Sequence, residues 1–326
     1  MRAIEIAELT GPRGALRLTE RAEPTADQVL TGGEGVVVEV HAAGVSFPEL
    51  LQTRGLYQIK PPTPFVPGSE VAGIVRSAPE GAHVKAGDRV AAFPMLGGWA
   101  EVAVAPPFMT FPLPEALDLA QGAALILNYH TAWFALRLRG RLEAGETVLV
   151  HGAAGGVGTA ALQVAKGLGA RTIAVVSSDE KERVARAAGA DEVVRADGFK
   201  EAVGELGGAD VVLDPVGGDR FTDSLRCLNE DGRLVVVGFT AGAIPEVRVN
   251  RLLLNNVSVV GAGWGAYVLK HTDVNQRIGA ELHALIERGV VAPLVGARLP
   301  LERAADALTL LEERRATGKV VLDVRT

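Results

Sequence analysis

The sequence predicts an α/β protein: a doubly wound parallel sheet with a compact, barrel-like β domain beside it. Three observations predict this. Short apolar strands alternate with helical segments through the second half of the chain. A glycine-rich turn, HGAAGGVGTAA from His151 to Ala161, lies between one such strand and a helix. The first third instead shows short apolar or alternating runs, broken by dense Gly and Pro.

Size and charge set the outer limits. The 326 residues are 48% hydrophobic and carry a formal net charge of -6, which suits one large or two ordinary globular domains. No dense basic block appears apart from RLRGR at Arg137 to Arg141, which reads as a solvated helix end, so no nucleic-acid partner is expected. Cys227 is the single cysteine, which excludes a disulfide within the chain and a zinc site built from several thiolates. It fits a reducing compartment, and a cytoplasmic location is expected. The alternation in MRAIEIAEL reads as a strand rather than a signal peptide. No apolar run reaches the ~18 residues of a membrane span.

The elements follow in order. MRAIEIAEL, GALRLTE, GVVVEVHAAG, EVAGIVRSA, DRVAAF and WAEVAVAP read as strands, with a short helix near Pro48 to Arg54. From Ala116, EALDLAQGAALILNYHTAWFALRLRG has helical spacing of its apolar residues. TVLVH, RTIAVV, EVVRA, DVVLDPV, RLVVVGF and VSVVGAG then give the strand–helix rhythm of two mononucleotide-binding halves. DVNQRIGAELHALIERG and LERAADALTLLEERRA are amphipathic helices, and KVVLDV is a terminal strand that needs a sheet to join. The expected division is 1–122 with 266–326 returning to it, and 123–265 as the nucleotide-binding domain.

The glycine-rich turn explains itself in that context. Ala153, Gly155 and Gly158 hold the places of the glycines in GxGxxG. Gly155 lets a pyrophosphate approach the main chain, and Gly158 lets the helix pack closely on the strand. Ala154, Gly155, Gly156, Val157 and Gly158 are thus expected to hold the diphosphate at the helix N-terminus. Ala153 requires a turn that tolerates a Cβ at the first position. Gly169 is expected to end the helix.

The second strand ends VVSSDEK, with Ser177 and Ser178 where NAD-binding sheets place an acid. Two hydroxyls, Lys181 on the next helix and Arg195 after the third strand suit the 2′-phosphate of NADPH. Ser177 is alternatively a helix N-cap with Glu180 three residues on, and a small change of register brings Asp179 closer. NADPH is the expected cofactor. Ligands in open parallel sheets bind beyond the carboxyl ends of the strands, so Val216, Gly217, Gly238, Phe239 and Thr240 are expected to line it.

These residues resemble the medium-chain dehydrogenase/reductase superfamily, and within it the zinc-independent quinone oxidoreductases. The resemblance spans nearly the whole chain. It rests on AGVSFPELLQTRGLYQIKPPTPFVPGSEVAGIV (Ala43 to Val75), KAGDRV (Lys85 to Val90), GGWAE (Gly97 to Glu101), VLVHGAAGGVG (Val148 to Gly158), DPVGG (Asp214 to Gly218) and TGKVVL (Thr317 to Leu322). It implies a GroES-like β-barrel domain, an inserted Rossmann domain, a cleft between them and a homodimer. The apolar edge strand in NNVSVVGAGWG also invites pairing with a second copy.

Zinc-dependent relatives carry Gly-His-Glu where this chain has Gly68-Ser69-Glu70, and a cysteine where it has Ser46. Glu70 alone does not hold a Lewis-acid metal, so no metal is expected. The resemblance makes Tyr57 the candidate proton donor, with packing against the neighbouring prolines as the alternative. Ser46 stands where an asparagine is common in the quinone reductases; it is a second catalytic candidate, or a helix N-cap with Glu49 three residues later. Asn128 and Thr131 match a segment beside the nicotinamide. His130 is expected to pack or be exposed. Lys319 is expected at the surface, with reach to the cofactor as the alternative.

The expected activity is metal-free hydride transfer from NADPH to quinones or related α,β-unsaturated carbonyl compounds. A 2-enoyl-thioester reductase and a non-catalytic NADPH-binding protein are the alternatives. No cationic loop marks the former.

Overall fold

Alternating residues near the N-terminus form two antiparallel strands, β1 (Arg2–Ile6) and β2 (Leu16–Glu20), in a computed structural model that describes residues 1–325. A larger sheet takes β3 (Val36–Val45), β4 (Val71–Ser77), β5 (Arg89–Ala92), β6 (Val102–Ala105) and β7 (Thr110–Pro112). Val36, Val38 and Val40 alternate along β3 and meet Val71, Val75, Val90 and Trp99 in the core. Between β3 and β4 lies α1 (Phe47–Gln52), with Pro48 in its first turn, where a missing N–H costs nothing.

The helical stretch from Leu119 to Arg139 is irregular. One α turn, Leu119–Gly122, gives way to a π-helical turn at Ile126–His130 and a second at Phe134–Arg139. Periodicity alone signals a helix here and does not distinguish these wider turns.

The second half builds β8 (Thr147–Val150), α2 (Gly156–Gly167), β9 (Arg171–Val176), α3 (Asp179–Ala187), β10 (Glu192–Arg195), β11 (Ala209–Asp214), β12 (Leu228–Val236) and β13 (Ser258–Gly261). Its strands are all parallel, in the spatial order β10-β9-β8-β11-β12-β13. The order reverses between β8 and β11, the switch point where open sheets bind ligands. Strands β8, β9 and β11 are almost wholly buried because helices cover both faces.

The chain closes with α4 (Thr272–Glu287), β14 (Val295–Pro300), α5 (Ala304–Glu312) and β15 (Lys319–Asp323). β15 pairs with β14 and, antiparallel, with β3, so the last segment of the chain returns to the larger sheet. Two compact units result: Met1–Leu127 with the residues from Pro293 on, and Asn128–Ala292. The return to the first unit therefore begins later than the sequence reading places it. Residues 266–292 stay with the parallel sheet because α4 packs there: Leu285 lies against Gly167, and Trp133 Nε1 donates to Glu281 at 2.9 Å. No helix among the described residues is long and apolar enough to cross a membrane.

Candidate active site

In the second unit, the turn after β8 is built by close approach of bare backbone. Gly152 adopts φ 59°, the left-handed region that favours glycine. The special conformation thus falls one residue before Ala153, which explains how Ala153 keeps a Cβ while fully buried. A Cβ on Gly158 would lie 2.2 Å from Gly152 O, so only glycine lets α2 start this near the turn. A Cβ on Gly156 would meet Asn128 Nδ2 at 2.5 Å, which places Asn128 directly on the glycine loop. Above Gly155, leaving aside its two chain neighbours, the only atom of the described residues within 4 Å of such a Cβ is Gly152 O, at 3.4 Å. That opening lies at the N-terminus of a helix whose first N–H groups have no intrahelical partner. Gly169, with φ 80°, ends α2 as the sequence predicts.

The other strand ends meet the same loop. Asp214 Oδ1 accepts from the N–H groups of Val216 at 2.8 Å and Gly217 at 2.9 Å, which bends the chain sharply after β11. Thr240 N then donates to Pro215 O at 3.1 Å, tying the loop after β12 to the loop after β11. A Cβ on Gly152 would meet Val216 Cγ2 at 3.3 Å, and one on Gly217 would meet Phe239 Cδ1 at 3.0 Å. Val216, Gly217, Gly238, Phe239 and Thr240 are thereby gathered at the carboxyl edge of the sheet.

At the end of β9, α3 starts one residue later than the capping alternative requires. Ser178, not Ser177, is its N-cap, with Oγ accepting from Lys181 N at 3.3 Å. The Ser177 hydroxyl instead accepts from Lys181 Nζ at 3.2 Å. Arg195 is held by Asp179 and, at 2.9 Å, by Glu182. Its charge is shared with two carboxylates, and the Asp179 side chain turns toward that guanidinium.

Asn128 and Thr131 are both buried in the second unit. His130 is buried and packed: Nδ1 donates to Asn275 Oδ1 at 2.9 Å and the ring meets Trp264 edge-on. Burial, opposed only by the Asn275 bond, lowers its pKa to about 4. The packing expected for His130 is what the fold provides.

The first unit holds a buried polar cluster. Ser46 is the N-cap of α1, and its N–H donates to Glu49 Oε2 at 2.9 Å. Glu49 Oε1 accepts from Ser69 N at 2.8 Å and Ser69 Oγ at 2.5 Å. Burial pushes the Glu49 carboxyl above the usual carboxylate range, against the pull of Ser69 and Lys319. Tyr57 is half-buried; burial, and then the nearby Glu49 charge, raise its phenol above the ordinary value.

Lys319 corrects an expectation. It is 3% exposed rather than on the surface, because β15 runs through the sheet beside β3. Its ammonium donates to Ser46 Oγ at 2.5 Å and to Glu70 Oε1. Glu70 Oε2 accepts from Leu127 N at 2.9 Å. A Cβ on Gly44 would sit 2.7 Å from Glu70 Oε1, so the glycine of AGVS makes room for this carboxylate. Nothing local in the sequence pairs Glu70 with Lys319, which lies 249 residues away.

A zinc ion does not fit this cluster. Hydroxyls stand at positions 46 and 69, both Glu70 oxygens are occupied, and an ammonium sits beside them. Among the described residues, no group of three or more His, Cys, Asp or Glu could hold a metal ion.

With this geometry in place, comparison with known proteins identifies the family. The family described as "Alcohol dehydrogenase GroES-like domain" matches residues 32–115, and "Zinc-binding dehydrogenase" matches residues 156–280. Quinone oxidoreductase-like protein 2 of Bos taurus is 40% identical over 297 residues, covering 89% of this chain and 85% of that protein. The Escherichia coli quinone oxidoreductase, solved as a complex with NADPH, is 32% identical with a TM-score of 0.86, over 99% of this chain and 100% of that one. The Thermus thermophilus quinone oxidoreductase, solved alone and with NADPH, is 34% identical with a TM-score of 0.84, over 99% and 100%. The chain is therefore an oxidoreductase of the medium-chain dehydrogenase/reductase superfamily, and within it belongs to the quinone oxidoreductase type.

Proposed function

We propose that this protein is an NADPH-dependent reductase of quinones or related α,β-unsaturated carbonyl compounds, working without a metal. The observation that carries the metal-free reading is the state of Glu70, whose two oxygens are bound to Lys319 and Leu127 rather than left for an ion. The solved NADPH complexes of relatives support the cofactor.

When bound, NADPH supplies the hydride from its nicotinamide ring and leaves as NADP+. The backbone from Ala154 to Gly158 receives the diphosphate, and Ser177, Ser178 and Lys181 receive the 2′-phosphate, with Arg195 behind them. Asn128 and Thr131 orient the nicotinamide end, while Val216, Gly217, Gly238, Phe239 and Thr240 line the rest. Negative charge grows on the acceptor's carbonyl oxygen as hydride arrives at carbon. A phenol kept neutral by burial, Tyr57, donates to that oxygen and delivers the proton; Ser46 gives a second hydrogen bond. One hydride and one proton balance the reduction.

The cytoplasm is the proposed location, supported by a lone thiol, Cys227, that is buried and pushed up to about 12 mainly by burial. A homodimer is the proposed assembly. Among the described residues β13 pairs only with β12, and just before it in the chain Leu253 and Leu254 are 77% and 74% exposed. Sedimentation as a monomer at micromolar concentration removes the dimer from the proposal.

The test of function is NADPH oxidation against quinones, enones and 2-enoyl thioesters. Quinone or enone turnover is expected. Turnover of thioesters with silent quinones points to an enoyl-thioester reductase. NADPH binding with no turnover of any acceptor points to a binding protein without catalysis.

A further inference from the structure

The Lys319 ammonium has three protons and no lone pair, so Ser46 Oγ is the acceptor in their 2.5 Å contact. The Ser46 hydroxyl proton must then point elsewhere, and no group among the described residues accepts it. The serine backbone is fixed independently, because its N–H is bound to Glu49. Lys319 is itself fixed by Glu70, which is 0% exposed and anchored through Leu127 N. A hydroxyl that accepts from a cation becomes a better donor, since successive hydrogen bonds polarise one another. A buried ion pair is weak support for stability, and an apolar pair of similar volume often serves as well. Stability alone therefore does not account for the pair.

We propose that Lys319 is a positioning residue for reduction. Its ammonium holds the Ser46 hydroxyl as a committed hydrogen-bond donor to the acceptor's carbonyl oxygen. The Ser46 O–H bond stays intact, and Lys319 does not touch the acceptor. Glu70 supports the arrangement by fixing the ammonium. This inference rests on the proposed quinone or enone reduction and on Ser46 as a donor in it.

Steady-state kinetics and NADPH fluorescence titration test it on Ser46→Ala, Lys319→Met, the two combined, and Lys319→Met with Glu70→Gln. Ser46→Ala and Lys319→Met are each expected to lower kcat by about tenfold to a hundredfold, the effect of losing one charge-assisted hydrogen bond. NADPH affinity should hold. The combined variant should be no slower than Ser46→Ala alone, because Lys319 acts through that hydroxyl. Lys319→Met strands a buried carboxylate and can fail to fold; adding Glu70→Gln removes that charge and should give a folded, slow enzyme. Independent losses in the combined variant overturn the inference, as does wild-type kcat in Lys319→Met with Glu70→Gln. Wild-type kcat in Ser46→Ala overturns it together with the role of Ser46, while leaving the functional reading intact. A wild-type enzyme silent on every acceptor defeats that reading and takes the inference with it.

Discussion

Gly158 stands so close to Gly152 that a Cβ on it would lie 2.2 Å from the Gly152 carbonyl oxygen. The obstacle is backbone, which cannot swing aside as a side chain can. Gly158→Ala is expected to destabilise the fold by about 1–3 kcal/mol through forced overpacking. Gly155→Ala should behave differently. Its backbone angles suit any residue, and a Cβ there would lie no nearer than 3.4 Å to Gly152 O. The fold should keep its stability while the methyl group obstructs the diphosphate. A loss of about tenfold to a hundredfold in NADPH affinity corresponds to a similar steric cost. Thermal melts and NADPH titrations of both variants separate the two effects. Full NADPH affinity in Gly155→Ala would remove the diphosphate from this turn.

Lys181 and Arg195 both flank the end of β9, yet they are not equivalent. Lys181 reaches Ser177, whereas Arg195 is held between Asp179 and Glu182. Lys181→Ala is therefore expected to weaken NADPH by about tenfold or more, as for loss of a hydrogen bond to a charged group, with little effect on NADH. Arg195→Ala should cost less, because its carboxylate partners already neutralise much of its charge. Titration of each variant with both cofactors checks this. Equal losses for NADPH and NADH in Lys181→Ala would count against a 2′-phosphate at this point.

What the sequence reveals of the fold and the site follows from the range of each interaction. The strand, turn and helix around Gly155 are local, so spacing alone marks them. Even there the left-handed residue is Gly152, one place before the motif's first position. The cap of α3 shifts by the same margin, from Ser177 to Ser178, because neighbouring serines are chemically alike. The Ser46 and Glu49 pairing is legible for the same reason, being three residues apart. The Lys319 and Glu70 contact is not, since only the strand pairing of β15 with β3 brings the two together. The choice of Arg195 between a phosphate and two carboxylates is likewise a tertiary outcome. So is the packing of α4, whose apolar stripe fits either unit by pattern alone.

Tyr57 offers a test of proton delivery. Burial and the Glu49 charge both raise the phenol's pKa, so it stays protonated as a donor throughout the neutral range. Tyr57→Phe keeps the ring and removes only the hydroxyl. Enone reduction is expected to slow by about a hundredfold, typical of a lost general acid, with NADPH affinity nearly unchanged. Single-turnover rates and NADPH titration measure the two quantities separately. An unaltered rate would leave Tyr57 as a packing residue.

Acid should unfold the second unit through its buried histidines. His151 Nε2 donates to Ser224 Oγ at 2.7 Å, and that hydroxyl passes its own proton to Arg220 O at 2.8 Å. The lone pair on Nδ1 is buried without a partner, so a proton placed there finds no acceptor. Burial is the main cause of a pKa lowered from 6.5 to about 4, with Asp214 opposing it. His130 is lowered likewise, from 6.5 to about 4, mainly by burial. In both cases the unfolded chain binds the proton more readily than the folded one. The stabilisation is therefore complete above pH 6.5 and is lost as pH falls toward 4. Each histidine accounts for roughly 3 kcal/mol across that window. Denaturant melts between these limits should show stability declining with acid. His151→Gln, which cannot titrate, should flatten the slope and leave the share that His130 supplies. A slope unchanged by that substitution would mean that His151 titrates in the folded protein as it does in the unfolded chain.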